Sequence, residues 1–264
     1  MESWREMVAF PLTGRSRKPR SKGLTMMLDK GLGLGETKDL LDIAGDHVDL
    51  IKLGFGTSAL YPDAILQKKI DLVRCYGIDI YPGGTFLEVA IAQGKLLPFL
   101  HTAKKLGFTA VEISDGTLFL DQNMRRKAIS LALEMEMKVL TEVGKKQPSS
   151  RENCYHLARQ ARMDLQAGAA WVIVEGREFG RNVTVYDGQG RISEESVAVF
   201  LECIDDPSLL IWEAPLKEQQ QELILRFGPD VNLGNILPQE IMSLEALRVG
   251  LRGDTLRFCY QQMV

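Results

Sequence analysis

After residue 22 the chain keeps one rhythm: a short apolar run, a polar loop containing glycine, then a stretch with apolar residues every three or four positions. The apolar runs occupy residues 24–28, 48–53, 78–81, 110–113, 138–143, 171–174, 209–212 and 231–233. They are rich in Val, Ile and Leu and lack clean alternation, which predicts parallel strands covered on both faces. Between them, Ile65, Leu66, Ile70 and Val73 predict one helical stripe, and Met124, Ala128, Leu131 and Met135 another. Gly45, Gly77, Gly107, Gly168 and Gly228 each stand where a helix must stop before the next strand, and glycine accepts the left-handed conformation of such caps. Eight strand–helix units in about 240 residues, without a long linker, predict an α/β fold: a single-domain (β/α)8 TIM barrel over residues 23–264. A doubly wound open sheet is the alternative. It would usually need fewer strands, and no GxGxxG follows the first strand.

Composition narrows the picture. The chain has 264 residues, 45% hydrophobic and 25% charged, with a net charge of −3, enough to bury a full core without disulfides or structural metal. The first 22 residues carry six basic and two acidic side chains, leaving −7 on the remainder. They read as a basic N-terminal arm, flexible or packed on a subunit, and a homo-oligomer is expected. The overall balance speaks against a nucleic-acid partner. No apolar run approaches the ~18 residues of a membrane span and no hydrophobic signal core opens the chain, so no membrane partner and a cytoplasmic location are expected. Cys75, Cys154, Cys203 and Cys259 lie far apart with no CxxC, which argues against a zinc site or disulfide framework. The three histidines (His47, His101, His156) fall in or beside helical segments, leaving the chemistry to lysine, arginine and carboxylates.

In a barrel that chemistry gathers where the strands end. Reading each run to that end gives Asp29 and Lys30, Lys52, Tyr81, Glu112 with Ser114 and Asp115, Glu142 with Lys145 and Lys146, Glu175 with Arg177, Glu213, and Asn232 with Asn235. Four consecutive runs finish on glutamate: VEIS, LTEVGKK, VIVEGRE and LIWEAP. A buried carboxylate needs a cation, a metal or a proton. The glutamates therefore form either a structural ion-pair ring or a hard-cation site, with Glu112, Glu142 and Glu175 as candidate Mg²⁺ ligands and Glu213 in reserve. Glycine-rich loops at 81–85, 175–181 and 250–255 would bring backbone N–H groups close to an anion. Together with the cations on this face they point to a polyanionic small molecule, bound by Lys30, Lys52, Arg177, Arg252 and Ser114.

At these residues the chain resembles the phosphosulfolactate synthase family. The matching blocks are LDKGL (28–32), VDLIKLGFGTS (48–58), IYPGGTFLE (80–88), LGFTAVEISDG (106–116), LTEVGKK (140–146), IVEGRE (173–178), EAPLKEQQ (213–220), FGPDVNLGNI (227–236) and SLEALRVGLRGDT (243–255). They run in the family's order from about residue 23 to 255. Phe55 replaces an expected Trp, Phe179 a Ser and Gly234 an Ala, and the tail before residue 22 matches nothing in the pattern. The resemblance implies a barrel, Mg²⁺ as cofactor, phosphoenolpyruvate and sulfite as substrates, and (2R)-phospho-3-sulfolactate as product. That product leads to coenzyme M in archaea and to sulfolactate in some bacteria.

The chemistry is consistent with this expectation. Two polyanions need concentrated positive charge, and attack of the sulfite sulfur on C3 leaves an enediolate that a metal on the substrate carboxylate would stabilise. A lysine crowded by other cations would then protonate C2. Lys145 and Lys146 both qualify, and the resemblance favours Lys146. The competing expectations are another phosphate-handling barrel lyase, such as a Schiff-base aldolase, and a non-catalytic relative like the plant heat-stress-associated proteins.

Overall fold

The computed structural model describes residues 4–144 and 151–261. The eight apolar runs become eight parallel strands: β1 (Thr25–Asp29), β2 (Leu50–Leu53), β3 (Asp79–Pro82), β4 (Ala110–Ile113), β5 (Lys138–Val143), β6 (Trp171–Val174), β7 (Leu210–Glu213) and β8 (Leu233–Ile236). Their order in the sheet is β3-β2-β1-β8-β7-β6-β5-β4. The two end strands meet where Thr109 N donates to Ile80 O at 3.1 Å, which brings the sheet round into a barrel. The helices are α1 (Trp4–Met7), α2 (Leu34–Ala44), α3 (Asp63–Cys75), α4 (Gly84–Ala92), α5 (Leu96–Leu106), α6 (Gln122–Glu134), α7 (Arg151–Gln166), α8 (Glu194–Cys203), α9 (Lys217–Phe227), α10 (Ile241–Arg248) and α11 (Gly253–Gln261).

Strand periodicity explains both the core and the site. Leu50, Ala110, Leu140, Ile173 and Ile211 share one buried cluster inside the barrel with Leu24, Met26 and Tyr81. Side chains two residues apart on a strand face the same way. Lys52, Glu112, Glu142, Glu175 and Glu213 therefore form the next layer up, at the C-terminal mouth. At Gly234 an added Cβ would lie 2.5 Å from Met26 Cε, so glycine leaves room for the methionine in the interior. The alternate strand residues, among them Ile51, Val111, Val172 and Trp212, face outward into the larger core shared with the helices.

Local expectations hold apart from shifts of one or two residues at strand ends, β2 starting at Leu50 and not Val48, and the following. Gly77, Gly107, Gly168 and Gly228 have positive φ after their helices, but Gly45 has φ −57 because α2 runs on into a 3₁₀ turn, Gly45–His47. In α6 the buried stripe is Arg125, Ala128, Ile129 and Ala132, rotated about one residue from the predicted one; Met124, Leu131 and Met135 are half-buried. The last strand starts at Leu233, not Val231. Before it, Asn232 acts as a polar stitch at the opposite end of the barrel: its Oδ1 accepts from Leu24 N at 2.9 Å and its Nδ2 donates to Leu210 O at 3.0 Å.

The basic segment is fastened to its own barrel rather than trailing from it. Arg15 Nε lies 3.0 Å from Glu245 Oε1, Arg20 Nε 2.8 Å from Asp49 Oδ1, and Lys18 Nζ donates to Gly45 O at 2.8 Å. Ser16 N donates to Asp230 Oδ1 at 2.9 Å and Leu12 N to Val249 O at 3.1 Å. No helix of the described residues is long and apolar enough to cross a membrane.

Candidate active site

Five strands deliver charged side chains to one point. Lys52 Nζ, at the end of β2, lies 2.9 Å from Glu112 Oε2, 3.2 Å from Glu142 Oε2 and 3.4 Å from Glu213 Oε1. An ammonium has three N–H donors, and here three carboxylates face it. The other oxygens of two of these glutamates are held by backbone: Glu112 Oε1 accepts from Gly84 N at 2.8 Å, and Glu213 Oε2 accepts from Gly176 N and Arg177 N, each at 3.0 Å. Beside them Arg177 Nε lies 3.1 Å from Glu175 Oε1, while Glu175 Oε2 is buried with no hydrogen-bond partner. Glu142 Oε1 and Glu175 Oε2 flank Gly116, 3.5 and 3.8 Å from the place its Cβ would take.

Burial dominates the electrostatics. It pushes the Glu112 carboxyl up to about 7 against the opposing pull of Lys52, with Glu142 and Glu213 adding to the rise. Glu175 is pushed up to about 8 by burial, then by Glu142 and Glu213, with Arg177 only partly offsetting them. Burial raises Glu213 as well, although Lys52 and the two backbone N–H groups oppose it. Burial alone would lower Lys52; its three glutamates outweigh it and hold the ammonium well above its usual range.

The glycine-rich loops do something other than expected. The N–H groups of 81–85 and 175–181 that close on an anion close on Glu112 and Glu213 of the same chain. Ser114 donates to Glu88 Oε1 at 2.5 Å, and Glu88 Oε2 also accepts from Thr117 N at 3.1 Å and Leu118 N at 2.6 Å, which pins the loop after β4. Lys30 pairs with Glu178 and lies 5.9 Å from the centre of the Phe55 ring. Arg252 stands apart, at the α10–α11 corner, 3.8 Å from Asp254 Oδ2. Asn235 donates to Arg177 O at 3.3 Å from a backbone with φ 55. Lys145 and Lys146 lie outside the described residues. Glu88, Arg125, Lys69 and Gln219 are among the buried polar residues at these loops that patterning missed. For Arg125 the signal was its i, i+3, i+4, i+7 spacing with Ala128, Ile129 and Ala132.

The (2R)-phospho-3-sulfolactate synthase family model matches residues 13–254. The chain belongs to the phosphosulfolactate synthase family. It is 43% identical over 245 residues to the phosphosulfolactate synthase of Methanothermobacter thermautotrophicus, covering 92% of this chain and 94% of that one. With the phosphosulfolactate synthase of Bacillus subtilis it shares 36% over 249 residues, covering 94% and 97%. Membership makes the chain an enzyme, a lyase that forms C–S bonds. The fold alone is shared with 3-hexulose-6-phosphate synthase of Salmonella typhimurium, at 15% identity and a TM-score of 0.53 over 90% of this chain and 99% of that one. The family match starts at residue 13, within the basic segment, so residues 13–22 belong to the family's pattern although no motif placed them.

Proposed function

We propose that the chain adds sulfite to phosphoenolpyruvate, giving (2R)-phospho-3-sulfolactate, at a Mg²⁺-dependent site on the mouth formed by β4 to β7. The observation that carries this reading is charge. Glu112, Glu142, Glu175 and Glu213 converge with Lys52 and Arg177 as their bonded cations, and one oxygen of Glu175 is buried without a partner. Fully ionised, the cluster is net negative, which would repel two anionic substrates. A divalent cation neutralises that charge.

The donors suit Mg²⁺. Among the described residues no three His, Cys, Asp or Glu side chains are arranged to hold a metal unaided. Mg²⁺ typically takes one or two carboxylates and completes its shell with waters and substrate oxygens. Glu142 and Glu175 fit that description, whereas Glu112 is already engaged by Lys52 and Gly84. When bound, the metal would supply Lewis-acid stabilisation of negative charge developing on the substrate carboxylate.

The remaining roles belong to the chain. Lys52 holds its three glutamates in place and opposes the rise that burial imposes on Glu112 and Glu213, in preference to binding an anion directly. Arg177 and Lys30, both partly exposed at the mouth, carry fixed charge for phosphate, carboxylate or sulfite, a role for which Arg252 stands too far from the glutamate cluster. Lys146, or its neighbour Lys145, gives the proton to C2.

Incubation with phosphoenolpyruvate, sulfite and Mg²⁺ should produce the mass of phosphosulfolactate, and its absence would sink the substrate assignment. Glu142→Gln and Glu175→Gln should each raise the Mg²⁺ concentration required for turnover. Lys146→Met should lower kcat by ~10²-fold or more, with phosphoenolpyruvate KM little changed.

A further inference from the structure

Arg125 is on α6, outside the barrel, yet it is 1% exposed. Its guanidinium reaches three elements. Nε lies 3.0 Å from both carboxylate oxygens of Asp164 on α7, and Nη2 lies 2.6 Å from Asp164 Oδ2. Nη1 donates to Asp115 Oδ1 at 3.3 Å, two residues past the end of β4. Nη2 also donates to the backbone carbonyl of Glu142 at 2.9 Å. Asp164 is held in turn by Gln160 Nε2, 2.8 Å from Oδ1.

The Glu142 carbonyl is the informative contact. Strand β4 pairs with β5 as far as Ile113 opposite Thr141 and then stops. On the other side of β5 the ladder continues, with Glu175 N donating to Val143 O at 3.0 Å. Carbonyls alternate sides along a strand, so the Glu142 carbonyl faces the side where β4 has just ended. Arg125 fills that gap and grips the departing β4 through Asp115 at the same time. It therefore joins the two strand ends at the point where they part, directly behind Glu112 and Glu142. A buried ion pair is a poor device for stability, since apolar packing of the same volume commonly does as well. It is a good device for fixing geometry, because the guanidinium is planar and its donors are rigidly spaced.

We propose that Arg125 is a positioning residue for the active site, setting the separation of the β4 and β5 ends and thereby the placement of Glu142 among Lys52, Glu112 and Glu175. The proposal rests on the reading of this mouth as the site of C–S bond formation. A displacement of about 1 Å at a reacting centre can cost ~10²-fold in rate.

The test uses the full chain with Arg125→Lys, which retains a positive charge for Asp164 but cannot reach Asp115 and the Glu142 carbonyl together. Arg248→Lys is the control. Arg248 is equally buried but far from the mouth, and donates to Pro229 O at 2.6 Å and Val231 O at 2.7 Å. Two readouts are taken where both variants are folded. Product formation by Arg125→Lys should fall about tenfold or more in kcat and need more Mg²⁺, while phosphoenolpyruvate KM stays within about twofold. Backbone hydrogen exchange should accelerate in segments 112–116 and 140–144. Arg248→Lys should lower thermal stability and change neither readout at the mouth. Should Arg125→Lys not fold, Asp115→Ala removes the acceptor on the β4 side of the grip, and should lower kcat and speed exchange in 112–116 alone.

Normal kcat and Mg²⁺ dependence in the folded Arg125→Lys protein, or equal losses in Arg248→Lys, would overturn the proposal. If the wild-type chain forms no product, the substrate reading fails. The exchange measurement still decides this one, with faster exchange at both strand ends supporting it and unchanged exchange refuting it.

Discussion

Lys52 is surrounded by carboxylates that would be intolerable without it. Removing one partner of a buried ionic cluster commonly costs about 3–5 kcal/mol, so Lys52→Met should destabilise the chain by roughly that amount at pH 8. The loss should shrink at pH 5, where Glu112, held at about 7 in the folded chain, can take up a proton. Glu112 and Glu175 sharpen the pH argument, because their folded values of about 7 and about 8 lie above the ordinary 4.5. The folded state then holds these protons more tightly than the unfolded state. Between about pH 4.5 and 8 the contribution of these two groups to stability falls as pH rises; below that window both states are protonated and the penalty vanishes. Urea unfolding without divalent cations should show this decline, and Glu175→Gln should flatten it. An identical slope in the variant would remove Glu175 as its source.

Among the elements, the recurring device is a helix that reaches inward to hold a loop it does not itself carry. Lys69 on α3 pairs with Asp29 at 2.5 Å and donates to Leu32 O at 2.6 Å, holding the loop after β1. Gln219 on α9 donates to Gly180 O at 2.7 Å and Gly190 O at 3.0 Å, holding the loop after β6. Close backbone approach completes the arrangement. At Gly84, the first residue of α4, a Cβ would lie 2.4 Å from Ser114 Oγ and 2.7 Å from Glu112 Oε1. Gly84→Ala should therefore displace Glu112, lower kcat and cost about 1–3 kcal/mol. Gly35→Ala in α2, with open space at that position, should leave activity alone and stabilise the chain by about 0.5 kcal/mol. Equal effects of the two substitutions on kcat would refute the steric account.

At the scale of the whole molecule, the basic segment helps hold the end of the barrel opposite the site. Arg15 joins Glu245 and Asp230 to the strand entering at Gly23, whose carbonyl it binds at 2.7 Å. Burial alone would raise both acids, but the bonds from Ser16 and Arg15 hold Asp230 below its usual range, and those from Arg15 do the same for Glu245. Their contribution is then complete above about pH 4.5 and is lost as acid protonates them in the folded state. Arg15→Met should cost about 3 kcal/mol, as for other ion pairs broken at one partner in the interior. It should also speed proteolytic cleavage within residues 11–22, with the mouth of the barrel unaffected. Cleavage at the wild-type rate would show that the segment is held by its other contacts.

The barrel, its eight strands and the row of strand-end glutamates were legible in the chain because they are periodic. Burial on both faces suppresses alternation, and a residue two places beyond an interior apolar one must face the same mouth. The family could be recognised because its motifs lie in those same strand-end segments. Bonding partners were not legible. Nothing in YPGGT or EGRE distinguishes a loop that cradles a ligand from one that cradles Glu112 or Glu213. No local pattern shows that Lys52 meets glutamates contributed 60, 90 and 161 residues later. Arg125 and the docking of the arm were missed, and Asn232 was assigned to the wrong end of the barrel, for the same reason. A polar residue is buried only if distant groups satisfy it, and those partners come together only when the barrel closes.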